Sequence, residues 1–131
     1  MAQELIISIS GMRGIVGQNL TPQIAAEFGS AFGTFLKNDA PGNDKLTVCI
    51  GRDSRPSGQE LASAVIRGLC SVGIDVVELG LVTTPCVGIM LRELGCIGGV
   101  VITASHNPKE YNGFKFLDKD GAVLRPKDME I

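Results

Sequence analysis

Tryptophan is absent from the 131 residues, tyrosine and histidine occur once each, and aromatic residues total only 5%. That removes the stacking platforms on which single-stranded nucleic acids are held. Basic residues are not clustered and the net charge is −2, so a nucleic-acid partner is not expected. No apolar run approaches the roughly 20 residues of a membrane span, and Met1-Ala2-Gln3-Glu4-Leu5 has neither the basic start nor the apolar core of a signal peptide. The four cysteines, at 49, 70, 86 and 96, form no C-x-x-C pair and none stands at zinc spacing from His106. They read as buried, reduced thiols, which suits the cytoplasm. Neither a G-x-x-x-x-G-K-[ST] nor a G-x-G-x-x-G stretch follows any strand, so a mononucleotide or dinucleotide fold has no support.

What is present is ample apolar material, 44% of the residues, enough for one domain with a real core. Leu5–Ser10 reads as a first strand, followed by Gly11-Met12-Arg13-Gly14 as a turn and a short apolar pair, Ile15-Val16. Thr21-Pro22 is a helix start, with Thr as cap and Pro in the first turn. Ile24, Ala25, Phe28, Ala31, Phe32 and Phe35 follow at helical spacing, so these aromatics belong to the core. Further strands are expected at 46–50, 74–79 and 100–102, separated by helices over 60–70, closed by Gly73, and from Thr83-Thr84-Pro85 to Gly95. Asn112-Gly113 carries a turn signal, and 114–117 and 122–124 flank Asp118-Lys119-Asp120-Gly121 as a hairpin. The aspartates of that turn lack the later ligands of a calcium loop.

Alternating strands and helices predict an α/β fold with helices on both faces of the sheet. The expected form is a three-layer α/β/α sandwich with a mixed, mainly parallel sheet, the last hairpin adding a strand of opposite sense.

Three loops carry candidate chemistry. Val100-Val101-Ile102 stops abruptly at Thr103-Ala104-Ser105-His106-Asn107-Pro108. Small residues before Ser105 leave its hydroxyl uncrowded, and Pro108 stiffens the loop. Ser, Asn and Pro are also what any turn favours, so the residues alone leave both readings open. A serine hydrolase fits poorly: Thr103 and Asn107 occupy the places where a nucleophile elbow has glycines. Arg13, between two glycines, is the side chain best suited to bidentate phosphate contact, or is an exposed turn residue. Gly51-Arg52-Asp53-Ser54-Arg55-Pro56-Ser57-Gly58 precedes a helix, where two arginines either hold an anion or make surface ion pairs.

Thr103-Ala104-Ser105-His106-Asn107-Pro108, with Tyr111-Asn112-Gly113-Phe114-Lys115 after it, resembles the phosphoserine loop of the α-D-phosphohexomutases. These are the phosphoglucomutases, phosphomannomutases and phosphoglucosamine mutases. Gly51-Arg52-Asp53-Ser54-Arg55 is similar to a second motif of that family. The resemblance implies that residues 1–131 are the first of four domains, the others lying outside this chain. It implies that Ser105 carries a phosphoryl group exchanged with a hexose phosphate through a hexose 1,6-bisphosphate. It also implies Mg2+ on the Ser105 phosphate, its carboxylates coming from another domain. Arg13 would stabilise the moving charge and bind substrate, as would Lys115; Lys115 and His106 would transfer protons. Asn107, Arg52, Asp53 and Arg55 would support the loop. The isolated chain is then expected to fold but not to turn over. The form Tyr111-Asn112-Gly113 looks more like the glucose and mannose mutases than the glucosamine ones. A non-catalytic sugar-phosphate binding module of the same fold is the alternative.

Overall fold

The structure is a computed structural model and describes residues 6–8, 11–39, 46–105 and 107–124. Among the described residues seven strands form one sheet and three helices pack on it. In chain order they are β1 (Ile6–Ser8), β2 (Gly11–Ile15), α1 (Pro22–Asp39), β3 (Thr47–Arg52), α2 (Gly58–Ser71), β4 (Asp75–Leu81), α3 (Thr84–Glu93), β5 (Gly98–Ile102), β6 (Tyr111–Leu117) and β7 (Val123–Leu124). The sheet order is β1-β2-β6-β5-β3-β4, with β7 also paired to β6.

Handedness explains the three layers. β3 lies between β4 and β5 and is parallel to both. The chain steps outward from β3 to β4 through α2, then back across β3 to β5 through α3. Both crossovers are right-handed only if their helices lie on opposite faces. Accordingly α2 packs beside α1 over one face, where Phe32, Val48, Ile50, Leu61, Val65, Leu69, Val100, Ile102, Phe114 and Phe116 form the main core. Phe32 and Phe116 pack at a tilt, with ring centroids 4.8 Å apart. On the other face α3 packs on β3 and β5 over a smaller core of Cys49, Val87, Leu91, Cys96, Val101 and Leu117.

The three-layer mixed sheet is the expected architecture, but its balance differs. Only β3–β4 and β3–β5 are parallel, while β1–β2, β2–β6, β5–β6 and β6–β7 are antiparallel. Two misread turns account for this. Gly11-Met12-Arg13-Gly14 is the body of β2, with Met12 buried opposite Phe114. Asn112-Gly113 lies inside β6. There glycine is needed for approach and not for a turn: a Cβ on Gly113 would stand 2.1 Å from the Met12 carbonyl oxygen of the neighbouring strand. The turn read at 118–121 is a hairpin turn, closed by Asp118 Oδ1, which accepts from the amides of Asp120 and Ala122. The helix starts also hold: Thr21 Oγ1 accepts from the Ile24 amide, and Thr83 Oγ1 from the Cys86 amide.

The thiols need one correction. All four are free, and Cys49 and Cys96 are buried, but Cys70 is exposed and Cys86 half-buried. Cys70 follows Leu69 by one residue, about 100° around the helix, which turns it off the apolar stripe. Burial, reinforced by the adjacent Cys96 thiol, pushes Cys49 up to about 12, and burial raises Cys96 as well. Because the thiolate is the reactive form, a disulfide probe at neutral pH should label Cys70 first and Cys86 more slowly. Cys49 and Cys96 should wait for denaturant. Rapid labelling of all four in the folded protein would contradict this packing.

Candidate active site

Loops at the carboxyl ends of β3 and β5 lie side by side, because those strands are paired and parallel. They are the 53–57 loop and the 103–110 loop, the place where open α/β sheets build their clefts. Asp53 N–H donates to the Ile102 carbonyl at 3.1 Å, and Thr103 N–H to the Gly113 carbonyl at 2.9 Å. The two loops are thus stitched to each other and to β6.

Ser105 is half-buried and has φ +54°, the one non-glycine residue with positive φ among those described. A left-handed serine costs on the order of 1–3 kcal/mol and persists only where its surroundings over-determine it. Arg55 supplies much of that surrounding. Its Nη2 donates to the Ser105 carbonyl at 2.9 Å, and its Nη1 to the carbonyls of Pro108 at 2.7 Å and Tyr111 at 3.3 Å. Its Nε reaches Asp53 Oδ2 at 3.1 Å. The same Asp53 oxygen accepts the Thr103 hydroxyl at 2.7 Å, and Thr103 Oγ1 accepts the Ser105 amide at 3.1 Å. Arg55 and Asp53 therefore hold the backbone of the loop, and the Arg55 guanidinium is engaged on every nitrogen.

Arg13 is used differently. Its Nη1 donates to Asn107 Oδ1 at 2.8 Å, which places the guanidinium against the Ser105 loop across the sheet. Its other N–H groups have no partner among the described residues, leaving a forked donor set of the kind that fits phosphate. Arg13 pairs with Gly113, and Lys115 lies two residues further along β6. Residues two apart on a strand share a face, so Arg13 and Lys115 emerge together on the α3 side, both half-buried. Phe114 and Phe116 fill the opposite core. The bare Gly113 lies between the two cations.

Arg52 is not brought into this group. Its stem packs against the start of α2, 3.3 Å from where a Gly58 Cβ would stand, and no described hydrogen bond ties its side chain to the Ser105 loop. His106 lies outside the described residues. Two contributors carry no local sequence signal: Thr103, expected only to be small, and the buried Asn112, whose Nδ2 donates to Ser57 Oγ at 2.9 Å. That bond fastens β6 to the start of α2, and the Ser57 side chain makes no cap bond to its own helix.

Magnesium finds no ready donor set among the described residues. Among the described residues no three His, Cys, Asp or Glu side chains cluster as metal ligands, and Asp53 Oδ2 is committed to Thr103 and Arg55. These residues do not make a magnesium site by themselves.

The family model described as phosphoglucomutase/phosphomannomutase, alpha/beta/alpha domain I, matches residues 5–131. The chain belongs to this family. It is similar to a phosphoglucomutase/phosphomannomutase of Thermococcus kodakarensis, 45% identical over 88% of this chain and 25% of the relative. It is likewise similar to a phosphoglucosamine mutase of Leuconostoc citreum, 48% identical over 87% of this chain and 25% of the relative. Among solved structures it superposes on a phosphoglucomutase/phosphomannomutase family protein from Burkholderia thailandensis with a TM-score of 0.81. The two are 33% identical, and the match covers 95% of this chain and 29% of that one. This member of the family therefore spans about a quarter of the length of the curated relatives it matches. Those relatives' names include both glucose/mannose and glucosamine mutases, so they do not single out the substrate expected from Tyr111-Asn112-Gly113. No described helix is long and apolar enough to cross a membrane.

Proposed function

We propose that this chain is the phosphoserine-bearing first domain of a phosphohexomutase that moves a phosphoryl group between the 1- and 6-positions of a hexose phosphate. The observation that carries this reading is the left-handed Ser105, clamped through its backbone in a loop whose Asn107 holds the forked donors of Arg13. In the forward half, a sugar hydroxyl attacks the phosphorus of phosphorylated Ser105. The phosphorus–oxygen bond to Ser105 breaks, the proton lost by the sugar hydroxyl is balanced by one gained at the freed Ser105 Oγ, and a hexose 1,6-bisphosphate results. After the bisphosphate turns over, its other phosphate returns to Ser105 and the product departs.

Such transfers need positioning and charge neutralisation above all. Arg55 serves the first, engaged on every nitrogen by three loop carbonyls and the Asp53 carboxylate, whereas Arg13 and Lys115 serve the second. Mg2+ would neutralise further phosphate charge, with carboxylates from outside the described residues. Turnover requires more than this 131-residue chain, and the substrate class is hexose 1- and 6-phosphates.

Incubating the full-length enzyme with a hexose 1,6-bisphosphate should add one phosphate, and peptide mapping should place it on Ser105. Phosphate on Ser54 or Ser57 instead, or none on an enzyme that still interconverts hexose phosphates, would overturn the reading. A protein that binds hexose phosphate but never becomes phosphorylated would be a binding module.

A further inference from the structure

The hydrogen bonds around Ser105 form a closed circuit. Its amide donates to Thr103 Oγ1 at 3.1 Å, and that hydroxyl donates to Asp53 Oδ2 at 2.7 Å. The same oxygen receives Arg55 Nε at 3.1 Å, and Arg55 Nη2 returns to the Ser105 carbonyl at 2.9 Å. Both peptide groups flanking the left-handed residue are therefore fixed by one set of three side chains. We infer that Asp53, Arg55 and Thr103 act as positioning residues that hold Ser105 at positive φ and so set the direction in which its Oγ leaves the loop.

The argument rests on how the circuit is built. Fixing only the carbonyl would let the preceding peptide rotate, and fixing only the amide would free the following one. Here Asp53 Oδ2 is the shared acceptor, so the two holds are mechanically one. Thr103 is 8% exposed and the Arg55 side chain 12%, so water has little access from their side of these bonds, while the Asp53 carboxylate is 33% exposed. Thr103 is the hinge of the circuit because its hydroxyl accepts and donates at once, which neither valine nor alanine can do. The rest of Arg55 braces the far side of the same loop at Pro108 and Tyr111. Displacing a reacting atom by an ångström can cost about 10²-fold in rate, so a fixed Oγ direction matters for in-line transfer. This last step rests on the reading of Ser105 as phosphoryl carrier; the backbone hold does not.

Two measurements separate those claims. The first compares thermal melts of the 131-residue chain as Ser105→Gly and Ser105→Ala. Both lack the hydroxyl, and at an ordinary position alanine is the more stable because glycine has more freedom to lose. At a position held at positive φ the order reverses, and Ser105→Gly should melt about 4 °C above Ser105→Ala. Adding Thr103→Val should shrink that gap, and Thr103→Ser should restore it. Ser105→Gly melting at or below Ser105→Ala in the parent overturns the hold, even if Thr103→Val fails to fold.

The second measures loading of Ser105 by hexose 1,6-bisphosphate in the full-length enzyme. Thr103→Val should lower the saturating loading rate by about 10²-fold, with little change in the half-saturating concentration, and Thr103→Ser should recover it. Loading of Thr103→Val at the parental rate overturns the positioning role. A parent enzyme that interconverts hexose phosphates without loading Ser105 counts against the carrier reading instead, and the melts still decide the hold.

Discussion

Gly68→Ala should destabilise the fold by about 2 kcal/mol or more, although an alanine in the middle of a helix ordinarily stabilises it by about 1 kcal/mol over glycine. The reason is where α2 crosses α1. A Cβ on Gly68 would stand 2.1 Å from the Ala26 carbonyl oxygen and 2.9 Å from the Ser30 amide nitrogen. Both are backbone atoms of α1 and cannot swing aside as a side chain would. The facing Gly29 is equally bare: its Cβ would meet the Val65 carbonyl oxygen at 2.4 Å. Two helices touching backbone to backbone must separate to admit a methyl group, and the core beneath them, with Phe32, Leu61 and Leu69, must loosen with them. The steric term therefore outweighs the propensity gain. Separation would also disturb the Gly68 carbonyl, which accepts both the Ser71 hydroxyl at 2.7 Å and the Ser30 hydroxyl at 3.2 Å. A melting temperature lower by about 8 °C is expected, whereas Ser63→Ala, on the exposed side of the same helix, should leave it unchanged or raise it. A Gly68→Ala protein as stable as the parent would mean that the helices do not cross at this distance.

Lys115→Met in the full-length enzyme should lower kcat by about 10²–10⁴-fold, the range for a positioned acid or base, while leaving the melting temperature and Ser105 phosphorylation close to those of the parent. Methionine keeps most of the aliphatic stem and removes only the ammonium, so the stem's packing is largely preserved. Phe114 and Phe116 hold β6 to the core from the other side, which is why little stability should be lost. The side chain shares a sheet face with Arg13 across the bare Gly113. On the mutase reading, its role is to give a proton to the departing oxygen or to neutralise phosphate. If kcat stays within a few-fold of the parent, Lys115 is a solvated strand residue and the proton belongs elsewhere.

The parts of this fold that the sequence announces are those with local causes. α1, α2 and α3 follow from apolar spacing, with Thr21 and Thr83 as caps, and the 118–121 hairpin follows from its own aspartate. The errors arise where glycine serves a partner distant in sequence. Gly11, Gly14 and Gly113 look like turn residues, but Gly113 answers to the Met12 carbonyl of another strand, and no window around Asn112 contains that fact. The candidate site divides the same way. Ser105 and Arg13 stand out by type and flanking residues. The three carbonyls held by Arg55 leave no trace, because every residue has a carbonyl. A left-handed backbone at a serine is also silent, since asparagine or glycine is its usual sign.

β6 lies between β2 and β5, so the middle of the sheet waits for a strand from late in the chain. Arg13 and Asn107, which share one of the site's hydrogen bonds, are 94 residues apart. Such distant pairings are slow, because the loop they close must be ordered before the contact can repay it. During synthesis from the N-terminus, the β3–α2–β4–α3–β5 portion can assemble around its own parallel pairings first. The β1–β2 hairpin must remain an unplaced ribbon until β6 has emerged to receive it. Arg13 would then be among the last groups to reach the Ser105 loop, so a nascent chain would hold folded helices well before it held the Arg13–Asn107 contact of the candidate site.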